Sequence, residues 1–281
     1  MTWQPIEETA RTLQLHTGIR TLEILDGRFR SLCRGHSMDF DDLREYVPTD
    51  AIRDIDWKAS SRTDSLLVRE TFAERSIRVL IILDGGKNMA ALTSKKENKY
   101  DLMLKFAGCF AWNAMRNTAS CAFLRSSEAG YEMTPFAADP AGIDILFHRY
   151  DAIRPQTPAH DLSELVSHVL SRYSERVIVL CIGGREALEK VSMLPVRHDM
   201  YFVMTDDLSV CDSESFLIEQ NTLARELFFV HDALRKQEGQ YLGEKKAALQ
   251  KAFSQKGGRF AVVSADEDIY PGMLDLLKED V

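Results

Sequence analysis

The sequence predicts an α/β fold: an open, mostly parallel sheet with helices on both faces, preceded by an N-terminal appendage of helix and charged loop. Two near-continuous aliphatic runs, RVLIILD at 78–84 and RVIVLCI at 176–182, lack the alternation of a strand with one solvated face. Such runs are typical of strands buried on both faces of a parallel sheet. Strands and helical patterns alternate from about residue 76 onward, and this alternation indicates an α/β sheet.

The N-terminal part carries a helical pattern and then a charged stretch. Apolar residues at roughly helical spacing predict a helix over 5–33. The stretch 40–70 follows, and 13 of its 31 residues are charged. Within it Pro48 marks a turn, and the segment SLLVRE predicts a short strand at 65–70.

The remaining elements follow from the same periodicities. Besides the two aliphatic runs, strands are predicted at 119–124, 131–136, 199–205 and 259–264. Helices are predicted at 96–116, 140–150, 161–173, 185–192 and 241–255, with a last helix that ends at residue 278. Two apolar runs within 215–231 are consistent with a hairpin insertion. We therefore expect an appendage at 1–75, packed on a sheet domain at 76–281.

The composition predicts a cytoplasmic protein that binds no nucleic acid and does not insert into membranes. A net charge of −8 and a pI near 5.5 argue against a general binder of nucleic acid or anionic membranes. The five cysteines are scattered and without CxxC spacing, which favours free thiols in a reducing compartment. The N-terminus lacks a signal-peptide pattern, and no aliphatic run is long enough to span a membrane.

The turn DGGKNM at 84–89 is where a ligand is expected. It follows the first aliphatic strand, and open α/β sheets bind ligands beyond the carboxyl ends of their strands, where the strand order reverses. The GGK within it is not a phosphate-binding loop. The earlier glycine of GxxxxGK[ST] is absent, and Asn88 stands where Ser or Thr is needed.

The stretch GHSMDFDDLREYVPTDAIRDIDWKASSRTDSLLVRE resembles the signature of the family catalogued as domain of unknown function 58. The residues that match in register are Gly35, Phe40, Arg44, Tyr46, Asp50, Arg53, Ile55, Asp56, Trp57 and Arg62. The resemblance covers nearly the whole chain. Members of this family are similar to von Willebrand factor type A domains, and many are paired with MoxR-type AAA+ ATPases in chaperone-like or assembly roles. The resemblance therefore implies a von Willebrand factor A-like, Rossmann-like sheet and an ATPase partner.

The resemblance also implies where a metal would bind. Type A domains commonly hold Mg²⁺ through D-x-S-x-S after the first strand, a Thr in a second loop and an Asp in a third. Here Asp84 and Asn88 match the first motif, Gly86 stands at a Ser position, and Thr157 is the candidate in the second loop. The third loop has Gly183-Gly184 instead of an Asp. With two oxygen ligands missing, we expect a degenerate site in which Asp84 caps the following turn, and Mg²⁺ binding is the alternative.

The charged stretch itself is predicted to be a structural lock. Five basic residues lie among eight acidic ones, and paired charges in a structural network explain that mixture without chemistry. The residues assigned to this structural signature are Arg44, Tyr46, Asp50, Arg53, Asp56, Trp57 and Arg62. Trp57 is predicted to be a core anchor between appendage and sheet.

Two functions are compatible with these observations. The favoured one is a non-enzymatic protein-interaction module that acts with a MoxR-type ATPase in the assembly or maturation of other proteins. Its binding edge would include Asp84, Gly86, Asn88 and Thr157. The alternative is a metal-dependent hydrolase that uses the carboxylates of Asp50, Asp54 and Asp56. The sequence has no nucleophile motif and no zinc pattern to support catalysis.

Overall fold

A computed structural model describes residues 6–15, 17, 19–37, 42–47, 55–62, 65–70, 77–127, 130–152, 162–173, 177–194, 198–205, 215–218, 225–228 and 232–278. The strands are, in chain order, β1 (Asp42–Glu45), β2 (Leu67–Glu70), β3 (Arg78–Leu83), β4 (Ser120–Ser127), β5 (Gly130–Met133), β6 (Ile178–Gly183), β7 (Asp199–Thr205), β8 (Ser215–Ile218), β9 (Arg225–Phe228) and β10 (Arg259–Val263). The helices are α1 (Ile6–Leu15), α2 (Ile19–Ser37), α3 (Trp57–Ser60), α4 (Lys99–Arg116), α5 (Pro140–Ala152), α6 (Leu162–Leu170), α7 (Arg185–Val191), α8 (Asp232–Ser254) and α9 (Ile269–Leu276).

The central sheet has six strands in the order β10-β7-β6-β3-β4-β5. β3 pairs in parallel with β4 and with β6, and the parallel pairing continues through β7 to β10. Only the edge strand β5 runs antiparallel to its neighbour β4 within this sheet. The predicted fold class, an open and mostly parallel sheet, is confirmed.

Helices cover both faces of the sheet and enclose two apolar cores. On β3, Val79, Ile81 and Leu83 belong to the core under α1, α2, α4, α5 and α9. The alternate residues Leu80 and Ile82 belong to the core under α6, α7 and α8. Because side chains of a strand point to the two faces in turn, burial of both faces requires an unbroken aliphatic run. This is the physical reason for the sequence RVLIIL.

The N-terminal helices share a core with the sheet. The predicted helix over 5–33 is two helices, α1 and α2, with Thr17 between them. Ala10 and Leu13 of α1 and Leu25 and Phe29 of α2 are buried in the same cluster as α4 and α9. The ring of Phe29 meets that of Phe110 edge-on at 5.0 Å. The boundary between appendage and sheet domain at residue 75 stays a prediction.

Two smaller strand pairs lie outside the central sheet. β1 pairs antiparallel with β2, and β1 was not predicted because its four residues, DLRE, show no apolar alternation. β8 pairs antiparallel with β9, which confirms the hairpin within 215–231. The helix predicted at 241–255 begins earlier, at Asp232. No helix within the described ranges combines the length and the apolar character that a membrane span needs.

Candidate functional site at the switch point of the sheet

The strand order places two loops side by side at the carboxyl edge of the sheet. From the β5 edge the sheet order is β5-β4-β3-β6-β7-β10. If these six strands are renumbered 1 to 6 along the chain, the order becomes 3-2-1-4-5-6, which is the doubly wound arrangement. The order reverses between the first and fourth of them, β3 and β6, which pair directly. Asp84 follows β3, and Gly184 follows β6. These residues therefore lie where open α/β sheets bind their ligands.

Asp84 joins the two loops through its carboxylate. The residue is only 4% exposed. Its Oδ1 accepts the backbone N–H of Gly86 at 2.8 Å, and its Oδ2 accepts that of Gly184 at 3.2 Å. The backbone N–H of Asp84 donates to Ile182 at 3.0 Å, which completes the link to β6. Asp84 thus organises its own turn, as the capping interpretation expected, and also fastens the turn to the neighbouring loop.

Asn88 lies near the same carboxylate, in space that only glycine leaves open. A Cβ on Gly86 would lie 2.8 Å from Asn88 Oδ1 and 3.0 Å from Asp84 Oδ1, so both oxygens border one small space. A Cβ on Gly184 would lie 2.4 Å from Asn88 Nδ2. Asn88 Oδ1 is buried and has no hydrogen-bond partner among the described residues. We call Asp84, Gly86, Asn88, Gly183 and Gly184 the switch-point cradle.

Two buried strand residues, Thr205 and Cys181, lie beside the cradle. Thr205, the last residue of β7, is fully buried, and its Oγ1 lies 3.5 Å from the carbonyl oxygen of Gly183. Its Oγ1 also lies 3.7 Å from Met89 Sδ. Burial raises the pKa of the Cys181 thiol, and the negative charge of Asp84 adds to the rise. Cys181 is therefore a neutral residue of the core.

The oxygen atoms of the described residues do not make a complete Mg²⁺ site. Mg²⁺ requires near-octahedral oxygen coordination, usually with one or two carboxylates. Here one carboxylate is present, and both of its oxygens already accept backbone N–H groups. Asn88 adds one amide oxygen, whereas Gly86 and Gly183-Gly184 add no side-chain oxygen. The described residues contain no cluster of three or more His, Cys, Asp or Glu side chains suited to a metal. Thr157, the predicted second-loop ligand, lies outside the described residues.

From this donor set we predict weak or no Mg²⁺ binding. A ligand at a concentration equal to its Kd stabilises the folded state by only about 0.4 kcal/mol. Weak binding here means a Kd for Mg²⁺ of about 5 mM or higher. MgCl₂ at about 5 mM should therefore raise the melting temperature by no more than about 1 °C relative to NaCl of equal ionic strength. A rise of several degrees that is lost in Asp84→Ala would show that the cradle holds the ion after all. Differential scanning fluorimetry measures the shift.

The structure describes the roles of two signature residues, Asp56 and Trp57, and one prediction is wrong. Asp56 is the N-cap of α3: its Oδ1 accepts the backbone N–H groups of Lys58 and Ala59, both at 3.0 Å. Trp57 was predicted to be a core anchor, and this is wrong, because the residue is 63% exposed. Ile55, two residues earlier, is the buried residue of this segment. In a continuous strand, residues two apart face the same side, so Trp57 would be buried like Ile55. The chain is extended at Ile55 but helical at Trp57, and the two side chains therefore face different surroundings.

The other signature residues lie partly outside the described structure. Tyr46 is half-buried and donates its backbone N–H to Leu66 at 2.8 Å. Arg62 is exposed. Arg44 lies on β1, and its side chain is outside the described part of the structure. Asp50, Arg53 and Asp54 lie outside the described residues altogether. The assignment of Arg44, Tyr46, Asp50, Arg53 and Arg62 to a structural lock stays a prediction.

Replacing Asp56 tests the capping role. Asp56→Ala removes the acceptor and should lower the free energy of unfolding by about 0.5–2 kcal/mol. Asp56→Asn keeps an oxygen in the same position and should cost only a few tenths of a kcal/mol, since Asn is an equally good N-cap. Urea denaturation measures both values. An equal loss in the two variants would instead assign the effect to the charge of Asp56, as the predicted ion network requires.

Lysines neutralise the acidic turn that follows β10. Lys105 Nζ lies 2.7 Å from Asp266 Oδ1, and Lys95 Nζ lies 2.6 Å from Glu267 Oε1. Glu97 accepts the backbone N–H of Asp266 at 3.2 Å. Burial raises the pKa of Glu97, and the negative charge of Asp266 opposes its ionisation further. These contacts fasten the turn to the start of α4, so its carboxylates serve the structure of this edge.

The fold and the cradle define a doubly wound α/β protein with a polar, glycine-walled site at its switch point. The family model described as "Protein of unknown function DUF58" matches residues 42–208. This match covers more than half of the chain, and the chain belongs to that family. No curated protein sequence matches the chain.

Solved structures that are similar to this chain include three of low sequence identity. The SpRpn10 VWA domain is 9% identical with a TM-score of 0.40, and the match covers 69% of this chain and 93% of that one. The pilus adhesin SpaC from Lactobacillus rhamnosus GG is 9% identical with a TM-score of 0.32, over 71% of this chain and 26% of the adhesin. An uncharacterized membrane spanning protein from Vibrio fischeri is 12% identical with a TM-score of 0.26, over 70% of this chain and 97% of that one.

Sequence patterns located the part of the cradle that follows β3 but not the role of the glycines that follow β6. They assigned Asp84, Gly86 and Asn88 to the edge, and the structure brings these three together. Gly183-Gly184 was interpreted from the sequence only as the loss of a metal ligand. In the structure the backbone N–H of Gly184 donates a hydrogen bond to the Asp84 carboxylate. Thr205 was missed. The available signal was its place at the end of a predicted strand, the same edge where Asp84 ends β3.

Proposed function

We propose that this protein is a non-enzymatic interaction module that presents the carboxyl edge of its sheet to a protein partner. The observation that carries the proposal is the position of the switch-point cradle. Asp84 and Asn88 lie at the ligand-binding edge, yet the Asp84 carboxylate is held by two backbone N–H groups. Such an arrangement serves to shape a surface. It does not suit proton transfer by Asp84, because a general acid or base must reach the reacting atom, and both oxygens of this carboxylate are directed to backbone N–H groups.

The partner we propose is an AAA+ ATPase of the MoxR type, and the joint role is assembly or chaperone-like maturation of other proteins. Membership of the DUF58 family supports this choice, because the resemblance described under the sequence analysis implies a partner of this kind. A cytoplasmic location belongs to the same proposal, since the partner consumes ATP. Binding to nucleic acid is not part of it, in line with the net charge of −8.

Affinity purification tests the partner and the edge together. The tagged chain is purified from its native cells with ATP and Mg²⁺, and bound proteins are identified by mass spectrometry. The baits are the wild type, Asp84→Asn and the control Asp275→Asn, which changes a carboxylate on α9 whose side chain is 57% exposed. We expect a MoxR-type ATPase with the wild type and the control, and at least about tenfold less of it with Asp84→Asn, a loss of about 1.4 kcal/mol.

The outcomes separate the two parts of the proposal. Equal recovery with all three baits would keep the ATPase as the partner and remove the cradle from the interface. Absence of any MoxR-type ATPase would overturn the partner.

The hydrolase alternative lacks a supporting observation in the described residues. Of its three carboxylates, Asp56 uses Oδ1 to cap α3, and Asp50 and Asp54 lie outside the described ranges.

A further inference from the structure

Two glycines of the switch-point cradle have a backbone conformation that any residue can adopt. Gly86 lies at φ −67° and ψ 157°, and Gly184 lies at φ −74° and ψ 165°, both in the extended region. Neither pair of angles requires glycine, whose special use is the region of positive φ. At such positions Ala would be favoured, because glycine loses more conformational freedom on folding. The reason for glycine here must therefore lie in the space around it.

That space is taken by the side-chain amide of Asn88, which lies between the two glycines. A Cβ on Gly184 would lie 2.4 Å from Asn88 Nδ2, and a Cβ on Gly86 would lie 2.8 Å from Asn88 Oδ1. Both distances are much shorter than the roughly 3.5–4.0 Å of favourable contact between heavy atoms. Asp84 Oδ1, at 3.0 Å, also limits position 86, whereas Asp84 Oδ2 is 3.8 Å from the Cβ at position 184. The Asn88 amide is therefore the group that keeps position 184 a glycine.

The neighbouring Gly183 meets a different side chain. Its Cβ would lie 3.0 Å from Asp84 Cβ and 3.2 Å from Asp84 Oδ2. Two adjacent glycines at the end of β6 thus have separate causes, one in Asn88 and the other in Asp84. This difference allows the effect of the Asn88 amide to be measured against a matched position.

The positions next to the amide are those at which a metal motif would supply ligands. The resemblance to type A domains expects a Ser at residue 86 and an Asp in the loop of Gly183-Gly184. Either side chain would begin with a Cβ, and at residues 86 and 184 that Cβ meets the Asn88 amide. Asn88 Oδ1 is buried without a hydrogen-bond partner among the described residues, so its contact with Gly86 is one of packing. The amide in this position and a complete set of metal ligands therefore exclude each other.

We infer that the Asn88 amide occupies the cradle in place of a metal ion, so that this edge of the sheet works without a divalent cation. The poor fit of the residues to Mg²⁺ then has two causes, the missing oxygen ligands and the space that the amide takes. A partner at this edge would contact the protein directly and not through a metal-bound carboxylate. This consequence for a partner rests on the proposed function, whereas the occupation of the cradle is a property of the chain alone.

A double-mutant cycle between residues 88 and 184 tests the occupation. Gly184→Ala should lower the melting temperature by about 2 °C or more, because the added methyl group displaces the amide. In the Asn88→Ala background the same change should leave the melting temperature unchanged or slightly raise it. There the space is free, and Ala at compatible dihedral angles stabilises a protein by restricting the unfolded chain. Differential scanning fluorimetry of the four chains measures the change of sign.

Gly183→Ala is the matched control on the adjacent residue. Its methyl group meets Asp84 and not Asn88, so it should lower the melting temperature by the same amount, within about 1 °C, in both backgrounds. An equal effect of Gly184→Ala with and without the Asn88 amide would overturn the inference, because the amide would then not occupy the space at position 184.

Mn²⁺ tests whether the amide excludes a cation, since this ion takes the same oxygen ligands as Mg²⁺ and its free form is measured by electron paramagnetic resonance. Gly184→Asp adds a carboxylate but retains the amide. Gly184→Asp with Asn88→Ser adds the carboxylate and replaces the amide by a hydroxyl group. We expect at least about tenfold tighter Mn²⁺ binding in the second chain than in the first. Adding Asp84→Ala to the second chain should abolish the binding, which places the ion at the cradle.

The other results of this titration overturn the inference. Equal Mn²⁺ binding in the two chains would show that the amide does not keep the ion out. Absence of binding in both chains would show that another property of the cradle excludes it. None of these measurements uses a partner, so they are independent of the affinity purification that tests the proposed ATPase. Recovery of no ATPase there would contradict the proposed function and leave the occupation of the cradle in place.

Discussion

Asp84→Ala is expected to lower the free energy of unfolding by about 2–4 kcal/mol, because it removes two hydrogen bonds to a buried charged group. The carboxylate accepts the N–H of Gly86 at 2.8 Å and of Gly184 at 3.2 Å. Without it, two backbone donors at the switch point lose their acceptor inside the protein. Urea denaturation followed by tryptophan fluorescence, to which the partly buried Trp112 contributes, measures the loss.

Hydrogen exchange localises the same effect. In Asp84→Ala the amides of Gly86 and Gly184 should exchange faster than in the wild type, since they lose the hydrogen bond that protects them. Asp84→Asn retains one acceptor oxygen and should protect one of the two amides. The control Asp275→Ala removes an exposed carboxylate that pairs with Lys278 and should cost no more than about 0.5 kcal/mol. Unchanged stability and exchange in Asp84→Ala would refute the linking role of this carboxylate.

Phe253→Ala is expected to cost about 3–5 kcal/mol, more than Asp84→Ala, because it empties a large volume of the core. Phe253 on α8 is fully buried, and its ring stacks on that of Phe202 of β7 at 3.7 Å. It also lies parallel to the ring of Phe260 on β10 at 5.8 Å. The side chain thus holds the edge strand β10 and the helix before it against the sheet. Its loss leaves a cavity that the stacked neighbours fill only in part.

Two further variants define the cause of that loss. Phe253→Leu keeps most of the buried volume and should cost about 1.5 kcal/mol or less. Tyr241→Ala, on the exposed side of the same helix, should stay within about 0.5 kcal/mol of the wild type. Thermal and urea denaturation of the three variants provide the comparison. If Phe253→Ala and Tyr241→Ala cost the same, packing at this position does not hold β10 in place.

The strands of the central sheet were predictable because burial on both faces leaves a strong signal. The residues of β3 and β6 are aliphatic or glycine, apart from Arg78 at the start of β3 and Cys181, and both strands were located from these runs alone. β7, predicted at 199–205, has these bounds in the structure. By contrast, β1 is four residues long and mostly polar, and it forms only because β2, more than twenty residues later, offers a partner. Pairing over such a distance leaves no local pattern to detect.

The cradle was predictable in part. An Asp at the end of a buried strand indicated the edge, and the turn that follows indicated Asn88. The closeness of Asn88 to Gly184 depends on the pairing of β3 with β6, strands that are about a hundred residues apart in the chain. Two glycines after a strand are compatible with a lost ligand or with a space kept for another side chain. Only the distances between the loops distinguish these interpretations.

Local sequence patterns were sufficient for the α/β class, the strands of the central sheet and the membership of the DUF58 family, whose model matches residues 42–208. These properties reside in periodicity and in residue types, which a linear pattern records. Three-dimensional packing decided that Ile55 is buried while Trp57 faces solvent, and that Asp84 joins two loops. These outcomes depend on strand pairing and strand order, because both place residues together that are distant in the chain. The surface that we propose for a partner can therefore be defined only once the strands are paired.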